Sequence, residues 1–139
     1  MNHKSLAWIT IVVAATLAAS AQAHVTLDTP AAPVASYYKA VFRVPHGCAG
    51  SATTQVAIKI PDGFIAVKPQ PKPGWQLATT RGAYDSAYTL HGSAVDEGVR
   101  TVTWSGGRLP DEQFDEFALM GYLVPALAAG STLYFPVVQ

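Results

Sequence analysis

Apolar side chains recur along this chain at every second position far more often than at helical spacing. Tyr38, Ala40, Phe42 and Val44 fall on one side of an extended chain, Lys39 and Arg43 fall on the other, and Pro45-His46-Gly47 ends the run. Thr54, Val56, Ile58 and Ile60 repeat the alternation with Gln55 and Lys59 opposite. Pro61-Asp62-Gly63 then reads as a turn in which glycine supplies a left-handed backbone. Phe64 to Lys68, Trp75 to Thr79, Ala87 to His91, Val99 to Trp104, Glu116 to Leu123 and Thr132 to Val138 are further strand candidates. Between the third and fourth candidates, Pro69-Gln70-Pro71-Lys72-Pro73-Gly74 cannot pair inside a sheet, because proline lacks the ladder N–H; it is an edge or a loop. The acid-rich stretch Asp111 to Met120 tempts a helix reading, yet Phe117, Leu119, Gly121 and Leu123 alternate and Pro125 closes the run. A turn over Pro110 to Gln113 followed by a strand is expected instead.

Strands of this half-buried kind must cover one another's apolar faces. The expected fold is therefore all-β, an antiparallel immunoglobulin-like sandwich of about eight strands, with Phe42, Val44, Val56, Ile58, Val102, Phe117 and Leu119 pointing inward.

Residues 1–23 do not share this pattern. Lys4 is the one charged side chain, Leu6 to Ala19 is an uncharged apolar run, and Ala21-Gln22-Ala23 is a small-x-small site. These are the parts of a secretory signal peptide cleaved after Ala23. The apolar run of 14 residues falls short of the ~20 that a spanning helix needs. The expectation is an exported protein, periplasmic or at the cell surface, with no membrane span after cleavage and one domain over residues 24–139. With Lys4 in the leader, eight basic side chains remain against nine acidic ones, and no basic block or stripe occurs; nucleic acid is not an expected partner.

No constellation for an enzyme stands out. Asp111, Glu112, Asp115 and Glu116 read as a charged turn, no serine lies in a nucleophile-elbow sequence, and no glycine loop suits a phosphate. Trp75 and Trp104 read as core or sheet-face residues. Cys48 is the single cysteine, which in an exported protein asks for a missing partner or a reactive thiol.

His24 carries the most chemistry. Cleavage after Ala23 makes it the first residue, so that one amino acid presents both an α-amine and a ring Nδ1, which together close a six-membered chelate. Nitrogen donors in a tetragonal array suit Cu(II), the strongest-binding ion of the divalent series. His46, in Pro-His-Gly-Cys, and His91, before Gly92, are ordinary loop residues by position.

Specific strings of the chain resemble a known family. They are His24-Val25-Thr26-Leu27, Tyr38 to Cys48, Val67 to Trp75, Thr103-Trp104-Ser105-Gly106-Gly107, Phe114-Asp115-Glu116-Phe117 and Leu133 to Gln139. In order and across residues 24–139 these are similar to the YcnI-like family of exported copper-binding proteins. The resemblance implies a sandwich of cupredoxin or immunoglobulin type that holds Cu(II) through a mono-histidine brace, here His24. It implies a non-catalytic role in envelope copper handling, as chaperone or store, with the copper ion and another envelope copper protein as partners.

Two departures bear on that expectation. Many relatives carry a glutamate ligand seven residues after the brace histidine, where this chain has Ala31, so Asp28 or another acid is the substitute to look for. Relatives also continue past Val-Val-Gln with a cysteine and a tryptophan-bearing strand, so a truncated or natural short form is expected here, and with it an unpaired Cys48. Two other readings compete. One is a metal-free immunoglobulin-like envelope interaction module. The other is a copper-dependent polysaccharide oxidase, which needs a second histidine, His46 or His91, to complete a three-nitrogen brace.

Overall fold

The computed structural model describes residues 24–139; the expected leader lies outside the described residues. Eight strands follow one another: β1 (Thr26–Leu27), β2 (Ser36–Val44), β3 (Thr53–Lys59), β4 (Phe64–Pro69), β5 (Gln76–Leu90), β6 (Ser93–Leu109), β7 (Asp115–Leu123) and β8 (Val137–Val138). They form two four-stranded sheets, ordered β1-β2-β7-β4 and β5-β6-β3-β8, in which every neighbouring pair is antiparallel. No helix occurs among the described residues. The expected all-β sandwich is the observed one.

The alternation explains the packing. Phe42, Val44, Val56, Ile58, Val102, Phe117 and Leu119 are all 2% exposed or less, and they meet between the sheets together with Ala40, Phe64 and Trp104. Each such side chain taken out of water contributes roughly 1.5–3 kcal/mol. Trp104 is fully buried, packs edge-on against Phe117, and its indole N–H donates to the Gln70 carbonyl at 3.0 Å. That bond fixes the start of the proline loop, whose Gln70 N–H in turn donates to the Ala118 carbonyl at 2.9 Å. On β7 the inward position 121 is glycine because the Phe64 ring lies over it. A Cβ there would come within 2.6 Å of the ring edge.

Three expectations about strand limits change. Trp75–Thr79 and Ala87–His91 are not two strands but parts of one, β5, and the reason is a wide bulge. Tyr84 to Ala87 on β5 occupy the space that Asp96 alone fills on β6, between the pairs Ala83–Glu97 and Tyr88–Val95. The bulge turns Tyr84 inward, where it forms a second small core with Ile65 and Val124. Thr132–Val138 pairs only at Val137–Val138, although Leu133 and Phe135 still pack against the core. Strand β1 is additional, a two-residue ladder with β2.

The turns match. The Pro61-Asp62-Gly63 turn has φ +87° at Gly63, and the Gln113 N–H donates to the Pro110 carbonyl at 3.1 Å. At the tip of the β5–β6 hairpin, His91 and Gly92 both have positive φ, +49° and +82°, the backbone that a two-residue hairpin turn of right-handed twist demands.

Candidate functional site

His24 begins a stretch in which exposure alternates. His24, Thr26 and Asp28 are exposed, while Val25 and Leu27 are partly buried against the core. The ladder pairs Thr26 with Arg43 and Leu27 with Phe42. His24, two residues earlier, therefore shares the outward face with Thr26, about 7 Å along the strand, toward the Pro45 end of β2. The apolar residues at 25 and 27 anchor the segment, and the residue before them is presented to solvent.

Arg43 dominates the electrostatics of this face. Its Nη2 reaches Asp28 Oδ1 at 2.5 Å and Glu116 Oε1 at 3.2 Å, linking β2 to the segment after β1 on one side and to β7 on the other. The guanidinium pKa is raised above its ordinary value, first by the hydrogen bond to Glu116 and then by the charge of Asp28. Asp28, the substitute carboxylate expected from the sequence, is thus committed to an arginine. Among the described residues no three His, Cys, Asp or Glu side chains gather to hold a metal ion.

The other sequence candidates are dispersed. His91 is held at the opposite end of β2, where its Nε2 lies 2.9 Å from the Tyr37 hydroxyl and its ring stacks on Tyr37 at 6.2 Å. Tyr37 and Pro45 are eight residue steps apart along extended chain, so His91 and His24 stand roughly 25 Å apart along the sheet. His46 is at the His24 end, with Nδ1 donating to the Gly47 carbonyl at 2.6 Å. Cys48 is a free, exposed thiol in a small loop closed by paired bonds between Cys48 and Ser51. Ala31 lines a cavity of about 380 Å³ together with Leu27, Tyr38, Leu127, Leu133 and Phe135, and no charged side chain lines it. The Tyr38 hydroxyl there donates to the Thr29 carbonyl, and burial is the main cause of its raised pKa, followed by the charge of Asp28. Sequence reasoning missed Arg43 and Glu116 as neighbours of the candidate site. Their opposite charges at outward positions were the available signal, but the register that joins them is not written locally.

Fold and site together define an antiparallel sandwich of immunoglobulin type with an exposed histidine two residues before its first strand. The chain belongs to the family described as a domain of unknown function, DUF1775, whose model matches residues 24–139. A crystal structure of an uncharacterized protein from Nocardia farcinica, described as having an immunoglobulin-like fold, is similar with a TM-score of 0.57 and 26% identity, over 84% of this chain and 75% of that one. No curated protein matches the chain.

Proposed function

We propose that this protein is an exported Cu(II) carrier or store of the YcnI-like kind, which takes its cargo ion on the α-amine and Nδ1 of His24 and is not an enzyme. The observation that carries the reading is the coincidence of three boundaries at one residue. The family match begins at His24, the small-x-small site ends at Ala23, and His24 is exposed two residues before the edge strand β1. Two nitrogens from one residue share a single ordering cost, which is the advantage of a chelate over a lone surface imidazole. Asp28 and Glu116 are bound to Arg43, so exchangeable ligands complete the coordination, which suits a protein that hands an ion on. The partners in this reading are the copper ion and another copper protein of the periplasm or cell surface.

Mass spectrometry of the exported protein should give His24 as the first residue. Cu(II) titration should then show binding that weakens by at least about tenfold in two variants. One carries an extra residue before His24, which turns the amine into an amide; the other is His24→Ala. His91→Ala, far along the sheet, should bind like the parent. Equal affinity in the extended protein removes the brace.

A metal-free envelope interaction module is preferred to the polysaccharide oxidase as the second reading, because His91 is far along β2 and the Nδ1 of His46, the histidine at the near end, is engaged by the Gly47 carbonyl. A three-nitrogen brace needs a second histidine, and His91 is at the far end of β2. Absence of any Cu(II) binding by the processed protein would remove the copper reading and leave that module as the next to test.

A further inference from the structure

The two sheets have four edge strands, and three of them are poor templates for another chain. β1 and β8 are two residues long. β4 is interrupted by a register shift between Ile65 and Lys68, carries φ +53° at Ala66, and ends in Pro69. Bulges, prolines and very short strands are the usual means of keeping an edge from pairing. The fourth edge, β5, has none of these over Gln76–Thr80. That segment runs in unbroken register with β6, from Gln76–Ser105 to Thr80–Thr101. Among the described residues nothing pairs with its other side.

Its composition is unusual for an open edge. Gln76, Leu77, Ala78, Thr79 and Thr80 are all exposed, on both faces of the strand, and none is charged. Leu77, opposite the buried Trp104, is on the inner face of the sheet and is still 37% exposed at this open edge. The first charge is Arg81, beyond the register shift that ends the flat segment, and Glu97 on β6 pairs with it at 3.3 Å.

We propose that this edge pairs with the same edge of a second copy of the chain, antiparallel and centred on Ala78, so that two four-stranded sheets become one of eight strands. The pairing is self-complementary. Ala78 faces Ala78 of the second copy, Leu77 faces Thr79, and Gln76 faces Thr80, so no like charges oppose each other and threonines lie on both faces of the join. The electrostatics permit self-association, since the exported chain keeps eight basic against nine acidic side chains, a net charge of only −1, and the Arg81–Glu97 pair neutralises the rim. A second copy fits better than an unrelated strand, because a two-fold axis through Ala78 lets one short segment supply both halves of the contact. Five residues per copy make a contact at the low end of interface size, which means a concentration-dependent dimer and not an obligate one.

Sedimentation equilibrium of the exported protein over a range of concentrations tests this. The average mass should rise from one chain toward two. Ala78→Lys and Ala78→Asp, both at an exposed position, should each stay at the mass of one chain, because like charges then face each other across the axis. An equimolar mixture of the two variants should recover the doubled mass. That rescue depends on residue 78 facing itself, which a general loss of fold would not reproduce. A parent protein of single-chain mass at every concentration overturns the proposal. So does a lysine variant that associates as the parent does, or a mixture that stays monomeric while each variant unfolds cooperatively.

Discussion

Replacing Asp62 by asparagine should destabilise the protein by about 1–2 kcal/mol near neutral pH and by much less in strong acid. Asp62 sits in the turn between β3 and β4. Its two oxygens accept from Arg100 of β6, Nη1 to Oδ1 at 2.9 Å and Nη2 to Oδ2 at 3.0 Å, while the Asp85 N–H donates to Oδ1 at 3.2 Å. Arg100 also lies over the Tyr84 ring at 5.5 Å. One carboxylate thus holds both strands of the long hairpin against the turn. A hydrogen bond to a charged group contributes about 1.5–3 kcal/mol when well shielded. Both side chains here remain about a quarter exposed, so solvent screening brings the net loss down to about 1–2 kcal/mol. Such a loss lowers the melting temperature by roughly 4–8 °C in a domain of this size.

The pH dependence of that variant follows from the direction of the shift. The Asp62 pKa lies below its ordinary value, first because of the hydrogen bond to Arg100 and against the opposing effect of burial. A group whose folded pKa is depressed contributes stability that is complete above its unfolded value, about 3.9, and is lost as pH falls through the folded value. Thermal unfolding followed by circular dichroism should therefore show the gap between parent and Asp62→Asn shrinking below about pH 4. A gap that stays constant down to about pH 2, or an asparagine variant as stable as the parent at neutral pH, refutes the assignment of the ion pair as a stabilising clamp.

Gly121→Ala should cost about 1–3 kcal/mol in urea unfolding, because the added methyl meets the fully buried Phe64 ring; an unchanged midpoint would mean that the ring has room to move. Cys48 should react with a thiol reagent in the folded protein at the rate of an exposed cysteine, and a rate that rises only on unfolding would contradict its position on the surface.

The architecture was legible because the core depends on facing, and facing follows period-two alternation. All seven residues expected to point inward do so. Hydrogen bonding was less legible, for a physical reason visible at the two ends of the chain. Leu133, Phe135 and Val137 alternate and are partly buried, yet the ladder begins only at Val137, since a segment can bury every second side chain while its backbone bonds elsewhere or to water. Thr26–Leu27 does the reverse, making a ladder too short to produce a period. The bulge at Tyr84–Ala87 hid the unity of β5, because an insertion in one strand breaks the alternation of both halves while leaving their pairing to β6 intact.

The candidate site divides along the same line. His24 could be singled out as a candidate because the cleavage pattern and the chelate it would create are both local, needing only the residue and those just before it. Its surroundings were not, because they depend on Arg43 lying opposite Thr26 on one strand and Glu116 on another, pairings that join residues far apart in the chain. The sequence offered Asp28 as a substitute for a carboxylate at position 31. In the folded chain Ala31 lines an uncharged cavity and Asp28 accepts from Arg43, so neither position presents a free carboxylate beside His24. An arginine shared by two acids holds both in place and offsets one of their two charges, so neither carboxylate is free to turn toward an ion at His24. Under the proposed reading the donors two residues before β1 are then nitrogen alone, and a nitrogen pair without a fixed carboxylate would discriminate by ligand type, favouring copper over the calcium and magnesium that oxygen ligands attract.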